Sequence, residues 1–195
     1  MNIVAIVQAR MGSSRLPGKI IRELGDRPVF LWVYDRLQRS NLIDKVLFAT
    51  TEQRKDDVFC EILEKNQINF IRGSEQDVLG RYYLAATKSS ADIIVRVTCD
   101  CPFIDPELID EGLRMHGYND INYTSNVVPP TFPDGFDFEI FSREILDNAH
   151  LNAKSDYERE HVTPWIIEHT VEAQNTIKIN DNISHVNKRV TLDNE

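Results

Sequence analysis

Short β-branched runs alternate with amphipathic stretches through the first 117 residues, and this alternation narrows the fold more than any other feature of the chain. Apolar runs at 2–7, 45–50, 68–71 and 93–98 have strand length and are rich in Val and Ile. Between them lie stretches with helical spacing. Residues 28–39 put Val29, Val33 and Leu37 on one face, with Asp26 near the start. Residues 56–66 do the same with Phe59, Ile62 and Leu63. Residues 77–87 form a third helix. Residues 106–116 form a fourth, opened by Pro106 in its first turn and capped by Asp105. Repeated strand–helix–strand units predict an α/β fold: a mostly parallel, doubly wound, Rossmann-like sheet with helices on both faces.

The texture changes after Gly117. A strand is expected at 121–124 and a loop at 129–135, where three prolines precede Asp134 and Gly135. Residues 136–141 alternate apolar and acidic side chains, as a half-exposed strand does. Helices are expected at 142–153 and 156–169, the second interrupted at Pro164, and final strands at 176–179 and 189–192. The order reads as one domain over residues 1–195. It has a doubly wound first part (1–117), a smaller mixed α/β insertion (118–175) and return strands (176–195). No repeat, low-complexity tract or long linker interrupts it.

Charge is informative by its distribution. The chain carries a formal charge of −9, which argues against a general nucleic-acid binder. Residues 1–40 nevertheless sum to +4 and the remainder to −13. A local cationic patch on an acidic body suits a small anionic ligand. Uninterrupted apolar runs such as Ile3 to Val7 are far short of a membrane span, and the N-terminus has no signal-peptide pattern. Three cysteines (Cys60, Cys99, Cys101) read as reduced thiols, so a cytoplasmic protein is expected.

Four segments could carry chemistry. The first follows the opening strand: Gln8-Ala9-Arg10-Met11-Gly12-Ser13-Ser14-Arg15-Leu16-Pro17-Gly18-Lys19. Glycines let backbone N–H groups approach an anion, Arg10 and Arg15 offer forks that match phosphate oxygens, and Lys19 adds a point charge. Ligands of open α/β sheets bind outside the carboxyl ends of the strands, where this loop sits. The plainer alternative is a solvated basic turn. The second is Asp100, just after the most hydrophobic strand and placed to hold Mg²⁺ against a phosphate. A turn aspartate is the alternative. Cys99 and Cys101 without a second pair are a weak zinc signal. The third is Asp193, which matters only as a partner for Asp100 on one or two Mg²⁺ ions. The fourth is the acidic and aromatic stretch with Asp134, Asp137 and Glu139, which could meet sugar hydroxyls; spacing alone favours a turn followed by an exposed strand edge. His161 reads equally as a polar cleft contact or a structural histidine. The remaining histidines show no ligand spacing, and no Ser–His–Asp arrangement is supported.

The loop from Val7 to Lys19 resembles the opening motif of the sugar-acid cytidylyltransferases, the enzymes that make CMP-3-deoxy-manno-octulosonate and CMP-sialic acid. The SpsF-type branch, named for a spore-coat polysaccharide biosynthesis protein, is the closest match. That branch also carries segments like Arg72-Gly73-Ser74-Glu75 with Asp77-Val78-Leu79, Asp100-Cys101-Pro102, Pro133-Asp134-Gly135, Glu160-His161-Val162-Thr163-Pro164 and Thr191-Leu192-Asp193. The resemblance covers nearly the whole chain, in order. It implies a nucleotide-diphospho-sugar transferase fold, with 1–117 as the nucleotide-binding half and the insertion on the sugar side. It implies CTP as donor, with Arg10, Arg15 and Lys19 on the triphosphate. Gln8, Ala9, Arg72, Gly73 and Ser74 would lie near the nucleoside, with Gly12 and Ser13 in the phosphate loop. Mg²⁺ would be held by Asp100 and Asp193, and Asp134, Asp137, Glu139 and His161 would face an acidic sugar. Surface polysaccharide synthesis and a homodimer follow by analogy. Two departures stand out: Cys99 occupies a position where many relatives have glycine, and the chain ends two residues after Asp193, where relatives continue with a helix. The competing readings are a metal-dependent glycosyltransferase, against which Asp100-Cys101-Pro102 lacks a second aspartate, and a non-catalytic nucleotide-binding relative.

Overall fold

A computed structural model describes residues 1–13, 15–117, 121–170, 174–177 and 186–192. The first strand, β1 (Ile3–Gln8), leads through the glycine-containing loop and a 3-10 turn (Lys19–Ile21) into a two-residue hairpin, β2 (Glu23–Leu24) and β3 (Arg27–Pro28). Then follow α1 (Val29–Leu37), β4 (Lys45–Thr51), α2 (Asp57–Lys65), β5 (Phe70–Gly73), α3 (Val78–Ser89), β6 (Ile93–Thr98) and α4 (Pro106–His116). The later part supplies β7 (Tyr123–Ser125), β8 (Glu139–Ser142), α5 (Arg143–Asn152), α6 (Asp156–His161), α7 (Pro164–His169) and β9 (Gln174–Thr176).

Seven strands form one sheet in the order β5-β4-β1-β6-β8-β7-β9. The pairs β5–β4, β4–β1, β1–β6 and β7–β9 are parallel. Strand β8 runs antiparallel to both β6 and β7. The mostly parallel sheet expected from the alternation is therefore present, with one reversed strand inserted beside β6. The small hairpin after the loop was not legible in the apolar pattern, because two-residue strands have no period to read.

Side-chain alternation along the strands builds a core on each face. Ala5, Val7, Phe48, Val95 and Val97 pack with Phe30, Val33 and Leu37 of α1, Phe59 and Leu63 of α2, and Ile109 and Leu113 of α4. Val4, Ile6, Leu47, Ile71 and Ile94 pack on the opposite face with Leu79 and Tyr82 of α3, Leu146 of α5 and Ile166 of α7. The cap expected at the start of α4 is present, whereas α1 starts after Pro28 with no side-chain cap. Asp105 accepts hydrogen bonds from the Glu107 and Leu108 amides at 2.9 and 3.3 Å, directly before Pro106.

Two expectations at the end of the chain change. The strand near 176 lies at Gln174–Thr176, and residues 178 and 179 fall outside the described set. Residues 189–192 form a single bridge, Asp134 to Arg189, in place of a strand. Their amides turn to loops instead of a sheet edge: Val190 N donates to Asp134 O at 2.8 Å and Leu192 N to Asp100 O at 3.0 Å. Among the described residues no helix is long and apolar enough to cross a membrane.

Candidate active site

The loop after β1 is held from below by a buried carboxylate. Asp56 is fully buried, accepts the Met11 amide at 2.6 Å and pairs with the Thr51 hydroxyl. The Ser13 and Gly18 amides both donate to Met11 O at 3.0 Å, closing the loop on itself. Gly18 sits at φ +70, a left-handed conformation that glycine takes at no steric cost, and it starts the turn that carries Lys19. Buried Leu16 and Ile20 anchor the loop in the core, leaving its cations to face the cleft.

Those cations meet Asp100. Gln8, Ala9, Arg10, Ser13, Arg15 and Lys19 from the loop side, and Thr98, Cys99 and Asp100 from β6, line one cavity of about 260 Å³. Lys19 Nζ lies 2.6 Å from Asp100 Oδ2, with side chains 12% and 25% exposed. Burial alone would raise the Asp100 carboxyl. The Lys19 ammonium, by hydrogen bond and by charge, outweighs burial and holds it below the usual carboxylate value. Cys99 is buried and belongs to the core under α1, α2 and α4, although it also touches the cavity. Burial, and then the neighbouring Asp100, push its thiol well up, as burial does for Cys101, so neither is a reactive thiolate.

The cavity continues in two directions. Arg10 is shared with a groove of about 700 Å³ lined by Ser74, Glu75, Gln76, Asp77 and Arg159. Thr98 is shared with a second cavity of about 330 Å³, lined by Arg96, Val127, Val128, Asp137, Phe138, Glu139, Tyr157 and His161 among others. Positively charged loop, polar groove and mixed cavity thus meet along the carboxyl ends of β1, β5 and β6.

The structure gathers some expected residues and employs others differently. Gly12 lies beside the Lys55–Glu75 pair, where an added Cβ would come within 2.6 Å of Lys55 Nζ. Gly73 lies over α3, where a Cβ would meet Arg81 Cγ at 2.9 Å. The Arg72 guanidinium is used structurally: it binds Thr51 O at 2.9 Å, Gln53 O at 3.1 Å and Asp57 at 2.7 Å. Asp134 pairs with Arg189 at 3.2 Å. Glu139 is buried, bound on one oxygen by Arg96 and on the other by the Tyr123 hydroxyl at 2.6 Å. His161 closes α6 beside Val162, which is fully buried at φ +72. The Thr163 amide donates to His161 O at 2.9 Å across that turn. A β-branched residue at positive φ is strained, and it lies between His161 and Thr163, which line the second cavity. Asp193 and Ser14 lie outside the described residues.

Asp137 is the most perturbed carboxyl in the cleft. Burial, then the charge and hydrogen bond of Asp134, raise it to about 7. A carboxyl raised on folding keeps its proton longer in the native state, so stability falls between the unfolded value near 4 and the folded value near 7. Asp137→Asn is therefore expected to raise the melting temperature at pH 8. The gain should shrink as pH falls and vanish near pH 4, in thermal unfolding followed across pH. An equal gain at every pH contradicts this account.

Sequence reasoning passed over Arg96, Thr98 and Tyr157. A signal was present for the first two: Arg96 and Thr98 alternate onto one face of β6, directly before Asp100.

Comparisons with known proteins point to one family. A family model described as cytidylyltransferase matches residues 4–193. An uncharacterized protein of Methanocaldococcus jannaschii is 40% identical over 170 residues, covering 86% of this chain and 68% of that protein. The spore coat polysaccharide biosynthesis protein SpsF of Bacillus subtilis is 34% identical over 173 residues, covering 86% and 71%. The 3-deoxy-manno-octulosonate cytidylyltransferase of Pelobacter propionicus is 36% identical over 117 residues, 58% of this chain and 44% of that enzyme. The structure of a cytidylyltransferase from Leptospira borgpetersenii superposes with a TM-score of 0.91 at 35% identity, over 99% of this chain and 82% of that one. With a family match across almost its entire length and a cation loop facing Asp100 in the expected fold, the chain belongs to the cytidylyltransferase family and is a CTP-dependent nucleotidyltransferase.

Proposed function

We propose that this chain transfers CMP from CTP to a hydroxyl of an acidic sugar, releasing pyrophosphate, with Mg²⁺ as its metal. The observation that carries the reading is the meeting of Arg10, Arg15 and Lys19 with Asp100 in one cavity that opens, through Thr98, into a second cavity of different character. The first suits a triphosphate and the second suits an acceptor. The similarity to a 3-deoxy-manno-octulosonate cytidylyltransferase supports an acidic sugar, and the similarity to SpsF supports surface polysaccharide synthesis.

The donor set fits a hard cation. Asp100 is a partly exposed carboxylate with a cation already at 2.6 Å. The described residues contain no group of three His, Cys, Asp or Glu side chains that could hold a metal by themselves. That suits Mg²⁺, which binds through one or two carboxylates together with substrate phosphates and water. Asp100 would hold it, with Asp193 as the second carboxylate. When bound, the ion polarises phosphoryl oxygens. Arg10, Arg15 and Lys19 neutralise the triphosphate and the departing pyrophosphate, and the loop amides fix its position. Gln8, Ala9 and the 72–74 turn border the nucleoside. Asp137 and His161 face the acceptor, whereas Arg72 and Glu139 act by holding neighbouring groups in place.

Pyrophosphate release, measured with Mg²⁺ and each of the four nucleoside triphosphates against acidic sugars, tests the reading. Release confined to CTP with an acidic sugar is expected. Release with a different triphosphate, or none with any sugar, overturns it.

A further inference from the structure

Arg96 stands in the middle of β6, between Val95 and Val97, with Ile6 of β1 beside it on one side and Glu139 of β8 on the other. A buried arginine there is a poor device for stability, since apolar side chains in place of a buried ion pair are often neutral or stabilising. Its surroundings point to a second use. The side chain is 17% exposed and opens on the 330 Å³ cavity. Nη1 pairs with Glu139, whose other oxygen is held by Tyr123 at 2.6 Å. The guanidinium carbon lies 5.9 Å from the Tyr82 ring centre. Burial works against its charge, and the Glu139 carboxylate more than restores it.

The other edge of the fork is only weakly held. Nη2 reaches Gln8 Oε1 only at 3.4 Å, the long limit of a hydrogen bond, and Nε is buried with no partner. With Nε enclosed and Nη1 taken by Glu139, Nη2 is the guanidinium group left to bind an oxygen of a carboxylate entering the cavity. Among the described residues lining the cavity, Arg96 is the only Arg or Lys; Asp137 and Glu139 supply the opposite charge. Among the described residues, an acidic group entering this cavity meets no other guanidinium or ammonium in its lining. Placement along the strand agrees. Arg96 and Thr98 share one face, about 7 Å apart along the strand, and Thr98 lines both cavities. An acid held by Arg96 therefore lays the rest of the acceptor along Thr98 toward the Lys19–Asp100 pair.

We propose that Arg96 reads the acidic group of the acceptor, with Glu139 and Tyr123 holding its guanidinium in position. The inference deepens the proposed transfer to an acidic sugar and rests on that reading.

The test uses the full chain with CTP, Mg²⁺ and 2-keto-3-deoxy sugar acids, 3-deoxy-manno-octulosonate among them, each paired with its neutral C1 amide. Pyrophosphate release gives kcat/KM for acid and amide. The wild type should favour the acid by about 10–100-fold, the range for hydrogen bonds to a charged group. Arg96→Met should bring that preference to within about threefold while the KM for CTP moves by less than about threefold. Arg96→Lys should keep part of the preference, since it keeps the charge without the fork. If Arg96→Met fails to fold because Glu139 is left unpaired, the double variant Arg96→Met, Glu139→Gln removes both charges and carries the same measurement. Undiminished preference for the acid in these variants overturns the inference and leaves the proposed transfer standing. So does a wild type that uses amide and acid equally. A wild type that releases pyrophosphate with neither overturns the proposed transfer and this inference with it.

Discussion

Asp100→Asn should abolish measurable pyrophosphate release, a loss of at least about 10³-fold, because a bound metal contributes several kcal/mol to charge stabilisation in phosphoryl chemistry. The amide keeps the shape of the side chain but not the charge that attracts both Lys19 and a divalent ion. The fold should survive, since Asp100 is a quarter exposed and sits at the end of β6 instead of within the core. A modest loss of stability is expected at pH 7. The folded-state carboxyl is held below its unfolded value, so the stability it contributes is present above about pH 4 and lost as pH falls further. Wild type and variant should therefore converge in melting temperature toward pH 3. Turnover within tenfold of wild type in Asp100→Asn would remove the metal role from this residue.

Lys19→Met should lower kcat by about 10²–10³-fold, the usual cost of removing one preorganised group that faces developing negative charge. Methionine retains most of the buried stem, so packing against the loop is kept. This variant also separates two functions of the lysine. Lys19 neutralises Asp100 at 2.6 Å, where a divalent ion would compete with it. Without nucleotide, Lys19→Met should bind Mn²⁺ more tightly than wild type, by titration followed in the paramagnetic signal, while turnover falls. Asp100→Asn should bind it more weakly. Equal Mn²⁺ affinity in wild type and Lys19→Met would show that Lys19 does not share the carboxylate with the metal.

The two residues are 81 positions apart, and their meeting shows what kind of information a sequence withholds. The loop around Lys19 was legible because its chemistry is local. Glycines, hydroxyls and three cations directly follow an apolar strand, and the handedness of Gly18 and the anchoring of Leu16 and Ile20 follow from residue type. Asp100 was legible for the same reason, at the end of the most apolar strand. That the lysine would neutralise the aspartate depends on β1 and β6 lying side by side, in the register Gln8 to Thr98. That register is a property of the assembled sheet.

Glu139 shows the same divide from the other side. Alternation marked it as a half-exposed strand residue, yet it is buried, because β8 inserts antiparallel beside β6 with Arg96 opposite Glu139. Arg72 stands near its expected end of β5, but the carbonyls of Thr51 and Gln53 and the Asp57 carboxylate take up its fork. In both cases the partners lie 15 or more positions away, so no local pattern names them.

What the sequence determined by itself was the class of fold, the main helices with the Asp105 cap, and the loop that supplies the cations. Each is governed by side-chain period, backbone freedom or capping within a few residues. What only the tertiary structure decided was strand order, the reversed β8, the Lys19–Asp100 and Arg96–Glu139 pairs, and the sharing of Thr98 between two cavities. These arise where separate strands come into register, so their energies belong to contacts that no local stretch of chain contains.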